Sequence, residues 1–564
     1  MQKHLNLFLI LFIFCIKGLI SQNITLEVIG ENDSTSLIIT NYGYNKNHND
    51  YTSIKNELDS LQSKLYREGH IQNKLNYIKK NNDSLFSAEI SLNRKFNSIK
   101  INYNPIEVNE KTIKLITEDY SKNSFTIPFK NIEQSLQLIS SKITKDGHPF
   151  SKLRLSSIEI KDDTSIEASL VIIKDKKKRS LDKVIIKGYE KFPKSFLKRF
   201  LKIKPEKTFN IETIKKKINT INNLTFANQT KEPEVLFTKD STTLYLYIEK
   251  TISNTFDGFL GFSSNEENGN IDFNGYLNLN LNNNLNYGES FSLLYKNDES
   301  EQKNFEVKLS LPYLFSSPIG TELELNIFKK DTTFTTVNQK ASLFYQLDAK
   351  SKIYLGIETT ESNNLLTQDD FNEIDDYKSN FYKVKYNFIN RKNYNVLYQL
   401  NTSLDVEIGL GNRIISETKE KQIKAIISAH HIFNLNSKNS VYIGLNSGNL
   451  ISDLYLENEL MRFGGINSIR GFKENSLLAT SFGVLNTEYR YNLSNSIYVH
   501  SIIDYSFLRN SLINQKENLY GFGFGFGILT KAGLLKFNYA NGKTENQLFK
   551  FSNSNIHLSL TAIF

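Results

Sequence analysis

From residue 251 to Phe564 the chain has no convincing helix and breaks into ten- to fifteen-residue segments in which apolar and polar side chains alternate. Clusters of Asn, Gly, Ser, Asp and Lys separate the segments. Sixteen strands are predicted, near 254–263, 270–280, 287–296, 303–312, 319–329, 334–347, 351–360, 379–390, 396–409, 421–435, 439–448, 480–493, 496–509, 518–529, 533–541 and 552–564. Such lengths suit strands that cross a bilayer. In the last one, Leu558, Leu560, Ala562 and Phe564 are predicted to face lipid, and Ser559 and Thr561 a lumen. No run of about eighteen apolar residues follows the first twenty-one, so a membrane-embedded form must be a closed barrel. A soluble solenoid or sandwich competes with this reading. The number and length of the strands, the lack of a repeat period and the terminal aromatic count against it.

Residues 1–21 have a basic start, Lys3 and His4, then a short apolar run from Leu5 to Ile16. This reads as a cleaved secretory signal. Cys15, the single cysteine, lies in it, so neither a disulfide nor a thiol-based metal site is expected in the mature chain. The net charge of +9 is modest over 564 residues, and no basic patch interleaved with aromatics points to nucleic acid.

Residues 23–250 mix helices with short strands and contain an internal repeat. Leu61–His70 (LQSKLYREGH) resembles Ile139–His148 (ISSKITKDGH), each a helix ending at a glycine. Each precedes a strand pair: 74–80 with 85–92, and 153–160 with 165–172. A third unit has a strand at 182–188, helices at 193–201 and 210–223, and strands at 234–238 and 243–249. A β-α-α-β-β unit of this kind leaves a sheet edge open for another strand. His70 and His148 are expected at surfaces or turns rather than on a metal. The charged run Lys174–Arg179 is expected to be a solvated linker, with contact to anionic lipid headgroups as its alternative.

About thirty residues separate the eleventh and twelfth predicted strands, and they contain Arg462-Phe463-Gly464-Gly465 and Ile469-Arg470-Gly471-Phe472. Here the chain resembles the BamA/TamA family of outer-membrane assembly proteins, whose barrels carry a Gly-Gly pair and a Val/Ile-Arg-Gly-Phe/Tyr loop at this place. The run Gly521-Phe-Gly523-Phe-Gly525-Phe-Gly527, followed by Gly533-Leu-Leu-Lys536 and Tyr539-Ala540, resembles the family's Gly-alternating strand and the segment after it. Leu534 and Lys536 depart from its usual Pro and Arg.

The resemblance implies α+β POTRA-like domains over 22–95 and 96–178, a POTRA domain over 179–250, and an all-β sixteen-stranded antiparallel barrel over 251–564. It implies that the loop folds into the lumen, where Arg470 pairs with Glu488 and Asp504 and braces the wall opposite a seam between the first and last strands. Read from the residues alone, Arg470 has a solvated loop arginine as its alternative, against which a bidentate Arg–carboxylate pair inside a lumen is favoured, and the four alternating glycines relieve crowding against the loop. Gly258 and Gly261 are expected to soften the first strand, while Leu558, Leu560 and Phe564 mark the last.

The function implied is non-enzymatic. It is insertion of unfolded outer-membrane client proteins by strand addition at the seam, with the barrel in the outer membrane and the N-terminal domains in the periplasm. Three such domains suit the TamA-like branch. A two-partner secretion transporter, or a plain porin or receptor, is the alternative. No catalytic constellation, cofactor or metal site is expected. The bilayer and the clients are the expected partners, and an inner-membrane or lipoprotein partner stays open.

Overall fold

The structure, a computed structural model, describes residues 24–174, 177–264, 271–297, 302–366, 374–392, 397–547 and 554–564. The predicted signal peptide and Cys15 lie outside the described residues, as does part of the Lys174–Arg179 run. The chain forms two compact units: residues up to 180 together with 208–210, and residues 181–207 with 211–564.

The first unit holds two small α/β sheets. In the first, Ile24–Ile29 pairs in parallel with Leu85–Ser91, flanked by Asn47–His48 and Lys74–Asn82. The helix Tyr51–Arg67 starts at Asp50, whose side chain accepts the Ser53 amide at 2.7 Å. Its Ile54, Leu58, Leu61 and Leu65 recur at helical spacing and are buried against Leu26, Val28, Ala88 and Ile90. The second sheet repeats the plan with Ser98–Asn102 parallel to Ser165–Ile173, flanked by Ser124–Pro128 and Lys152–Ile160, and its helix Ile132–Lys145 buries Ile139 and Ile143.

The repeated glycines have one shared task. Gly69 (φ 104°) accepts the Phe96 amide at 3.0 Å, and Gly147 (φ 95°) accepts the Arg179 amide at 2.8 Å. Each end-of-helix glycine therefore fixes where the chain leaves its sheet. A Cβ on Gly69 would stand 2.1 Å from the Phe96 carbonyl oxygen. His70, expected at a surface or a turn, lies in the turn after the helix, where it is buried rather than exposed and packs edge-on against Tyr42.

The second unit combines a third α/β sheet with the barrel. Thr242–Lys250 is central in the sheet, between Lys183–Gly188 and Ala227–Phe237. The helix expected over 193–201 is reduced to one wide turn, Phe196–Phe200. Ala227–Phe237 runs through Pro233 because it is an edge strand with two register breaks. Lys74–Asn82 and Lys152–Ile160 carry register breaks as well, which shorten the edge open to another strand.

Sixteen antiparallel strands close the barrel. Along the thirteenth, Ile497–Asn510, the residues His500, Ile502, Asp504 and Ser506 are buried, while Ile503, Tyr505 and Phe507 are exposed. Leu355, Ile357, Tyr382, Val384 and Leu410 continue the exposed apolar band on other strands. An apolar band of this extent needs lipid around it. No helix among the described residues is long and apolar enough to cross a membrane, which says nothing of the barrel, since barrels cross with strands.

Side chains of the third sheet's domain reach the barrel turns. Asn283 donates to the Tyr189 hydroxyl at 2.7 Å, and that hydroxyl donates to Asn286 at 2.6 Å. Phe196 packs edge-on against Tyr313, and Asn223 donates to the Ala349 carbonyl at 2.7 Å.

Candidate functional site

The connection from the eleventh strand, Asn439–Ile451, to the twelfth, Ser481–Asn492, is folded rather than structureless. It makes a short hairpin of Met461–Phe463 with Leu477–Ala479. Phe463, Ile469 and Ala479 are buried with Val484, Leu508 and Leu519, which line the lumenal side of the next three strands. Gly464, Gly465 and Gly471 have φ values of 112°, 92° and 92°, a region glycine enters without strain.

Arg470 sits at the inner end of this loop and is 5% exposed. Its Nε and Nη2 donate to Asp504 at 2.8 and 2.6 Å, and its amide adds a bond of 3.0 Å to the same carboxylate. Nη1 donates to Glu488. Glu488 also accepts Arg490 Nε at 2.7 Å, and the Arg490 guanidinium lies 4.6 and 4.4 Å from the ring centroids of Tyr398 and Tyr442. Two guanidinium groups and two carboxylates thus neutralise each other in a buried site, and the fork on Asp504 fixes the direction of the loop.

The same loop touches the opposite wall. Arg413, on the ninth strand (Leu400–Ile415), is 1% exposed and donates to Glu459 of the loop and to Glu420 of the tenth strand. Gln422 donates to Glu459 at 3.0 Å, Lys330 to Glu457 at 2.8 Å, and Asn458 to Ser362 at 2.9 Å. The loop is therefore a strut across the lumen. Its far end reaches the sixteenth strand, Ser554–Ile563, where Asn555 donates to the Gly471 carbonyl at 2.8 Å.

That last strand is unevenly paired. It matches the fifteenth over eight residue pairs but the first strand, Thr255–Ser264, over two, Thr255↔Ile563 and Phe256↔Ala562. Reciprocal backbone bonds between Asn254 and Phe564, and a 3.4 Å bond from Thr561 to Asp257, are the other described contacts across this seam.

Residues 180–250 match the POTRA family model, described as surface antigen variable number repeat. Among solved structures the fold is similar to CdiB from Acinetobacter baumannii, at 16% identity over 80% of this chain and 86% of that one, with a TM-score of 0.52. It is also similar to CdiB from Escherichia coli, at 13% identity over 90% and 98% of the two chains and a TM-score of 0.52. The chain has a POTRA domain and the barrel fold shared with these CdiB structures. BamA from Haemophilus ducreyi lacking POTRA domains 1–3 is a further similar structure, at 13% identity, 82% and 98% coverage and a TM-score of 0.48. No curated protein sequence matches the chain.

Within this POTRA-and-barrel fold the predicted site residues fall into two groups. Gly464, Gly465, Ile469, Arg470, Gly471, Phe472, Glu488 and Asp504 come together in the lumen. The four glycines of the fourteenth strand, Gln515–Leu529, do not all serve the loop. A Cβ on Gly521 would meet the Arg470 carbonyl oxygen at 2.4 Å, but on Gly523 it would meet the Tyr539 carbonyl oxygen at 1.9 Å and on Gly527 the Tyr498 ring at 2.1 Å. Those two relieve crowding within the wall. Gly258 and Gly261 pair with Leu277 and Asn274 of the second strand. Leu558, Leu560 and Phe564 are exposed at the last strand.

The expected brace opposite the seam needs correction. The loop tip rests on strands twelve to sixteen and so reaches the seam strand itself. The Arg413–Glu459 clamp and Asn555 escaped the sequence reading. Arg413 resembles any charge at a strand end, and its partner lies 46 residues away.

Proposed function

We propose that this chain is an outer-membrane assembly or translocation factor that adds strands of unfolded client proteins at its barrel seam, with its POTRA domains in the periplasm. The observation that carries this reading is the two-pair seam beside a strut bonded to the seam strand. An unpaired strand edge is not tolerated in lipid, so a seam held by so few backbone bonds is a place where an incoming edge gains more than it displaces. The lumenal strut keeps the wall in register while the seam parts. The register breaks in Lys74–Asn82 and Lys152–Ile160 confine any client pairing at those edges to short stretches. No step in this activity calls for catalysis or a cofactor.

Depletion followed by a catalogue of the outer-membrane proteome tests the reading. Loss of a set of barrel proteins, with their unfolded forms in the periplasm, is the expected result. An unchanged proteome contradicts it.

A second reading, export of one partner through the lumen, draws on the fold's similarity to the two CdiB structures. It requires the strut to leave the lumen, breaking both the Arg470 and the Arg413 clusters. A steady conductance that rises when either arginine is replaced favours export over assembly.

A further inference from the structure

Of the chain's net +9, most sits in one stretch: residues 181–217 carry twelve Lys and Arg against four Asp and Glu. The wide turn and the loop after it, in the domain under the barrel, hold Arg199, Lys202, Lys204 and Lys207, which have no ion-pair partner among the described residues. Lys217 folds in behind them and donates to the Lys202 carbonyl at 2.7 Å. The one acid within this loop is Glu206, which is exposed. Asp348, in the barrel turn nearby, is already taken by the amides of Lys350 and Ser351 at 2.7 and 2.9 Å. Burial lowers the Lys217 pKa below its ordinary value, and the charges of Lys202, Lys207 and Lys204 lower it further. The cations thus repel one another without compensation inside the protein.

Their position says what compensates them. Arg199 Nε donates to the Ser316 carbonyl at 2.9 Å, and Lys202 Nζ to the Leu347 carbonyl at 3.5 Å, so both charges stand at barrel turns. At these turns the apolar exterior persists to the rim. Phe315 is fully exposed, and Leu343, Tyr345 and Leu347 are exposed in alternation up to the turn. Exposed Phe, Tyr and Leu at a barrel rim mark the level where acyl chains give way to headgroups. Cations fixed at that level, beside those side chains, face lipid phosphates rather than bulk water.

We propose that Arg199, Lys202, Lys204 and Lys207 form a binding surface for anionic phospholipid headgroups of the leaflet on the third domain's side of the membrane. The surface holds this domain against the bilayer at the barrel rim. The proposal needs the barrel to lie in a membrane and does not depend on the client reading.

The test uses the full chain in bilayer discs of phosphatidylethanolamine with a minor share of phosphatidylglycerol, with the retained lipids counted by native mass spectrometry. Phosphatidylglycerol is expected to be enriched on the natural protein by about fivefold, the equivalent of one basic residue at an anionic surface. Lys202→Gln, Lys204→Gln and Lys207→Gln together are expected to bring the ratio to that of the disc. Lys74→Gln, Lys79→Gln and Lys100→Gln, in the first unit, should leave it unchanged. Heat-dependent gel mobility checks that each variant keeps a folded barrel. No enrichment on the natural protein, or the same enrichment on the Lys202 variant, overturns the proposal. So does enrichment abolished by inorganic phosphate, which would make the site one for a free anion. Unaltered lipid with loss of a bound acidic protein would overturn it in favour of a protein partner.

Discussion

The side chain of Asn555 donates to the backbone carbonyl of Gly471 at 2.8 Å. One bond therefore joins the lumenal loop to the strand that closes the barrel. Replacing Asn555 with Ala leaves the Gly471 carbonyl without this partner and is expected to cost about 1 kcal/mol. The barrel should unfold at slightly lower denaturant, and the first and last strands should exchange amide hydrogens faster. Unchanged exchange in these two strands would show that the loop does not hold the seam.

Arg470→Ala leaves Asp504 buried without its cation, whereas Glu488 keeps Arg490. Breaking a buried pair from one side costs about 3–5 kcal/mol. Arg470→Lys retains the charge but loses the fork on Asp504, so an intermediate loss is expected. The double change Arg470→Ala with Asp504→Ala should recover part of the stability. Denaturant unfolding of the folded barrel measures all three. A double variant as unstable as the sum of its parts would deny the pairing.

The two ends of the strut are separable. Glu459→Gln weakens the clamp from Arg413, leaving Arg470 on its carboxylates. Protease cleavage near Glu457–Met461 should become faster, with little change near Lys473. Equal protection of both segments would mean that Arg413 does not hold the near end.

Gly521→Ala places a Cβ 2.4 Å from the Arg470 carbonyl oxygen, so the loop must shift. The expected cost is about 1–3 kcal/mol. It should be smaller when Arg470 has already been replaced, because the loop is then free to move. Full additivity of the two changes would place the strain elsewhere.

The first domain should lose stability in mild acid. Burial holds the His70 pKa below its ordinary value, with the Leu92 backbone bond acting in the other direction and Lys95 adding to the lowering. Its Nδ1 lies 3.3 Å from the Leu92 carbonyl, and its Nε2 is buried without a hydrogen-bond partner. The folded form therefore prefers the neutral ring. The stabilisation is complete above about pH 6.5, the unfolded histidine value, and is lost as pH falls through the lower folded value. Hydrogen exchange of the helix Tyr51–Arg67 should accelerate on acidification, and His70→Leu should remove that dependence. The same acid response in both proteins would contradict the assignment.

The barrel was legible in the sequence because lipid imposes a strict period. Each crossing alternates apolar and polar residues over about ten positions, and Leu558, Leu560 and Phe564 display it without any tertiary context. Arg470 was legible through its motif. Its near-end counterpart was not, since a clamp between Arg413 and Glu459 depends on how a folded loop crosses the lumen. In the first unit, Ile24–Ile29 and Ser98–Asn102 are short and lie outside the repeated helix-glycine-strand pattern, so their parallel pairing emerges only in three dimensions. Pro233 hid the first half of Ala227–Phe237, because a bulged edge strand tolerates a residue that a central strand excludes.

A reversible lock on the seam tests the central claim. Thr255 and Ile563 face each other across it, so Thr255→Cys with Ile563→Cys, combined with Cys15→Ser, joins the first and last strands by a disulfide. If client strands are added here, oxidation should stop the assembly of client barrels and reduction should restore it in the same cells. Normal client assembly with the seam fully cross-linked would contradict the account.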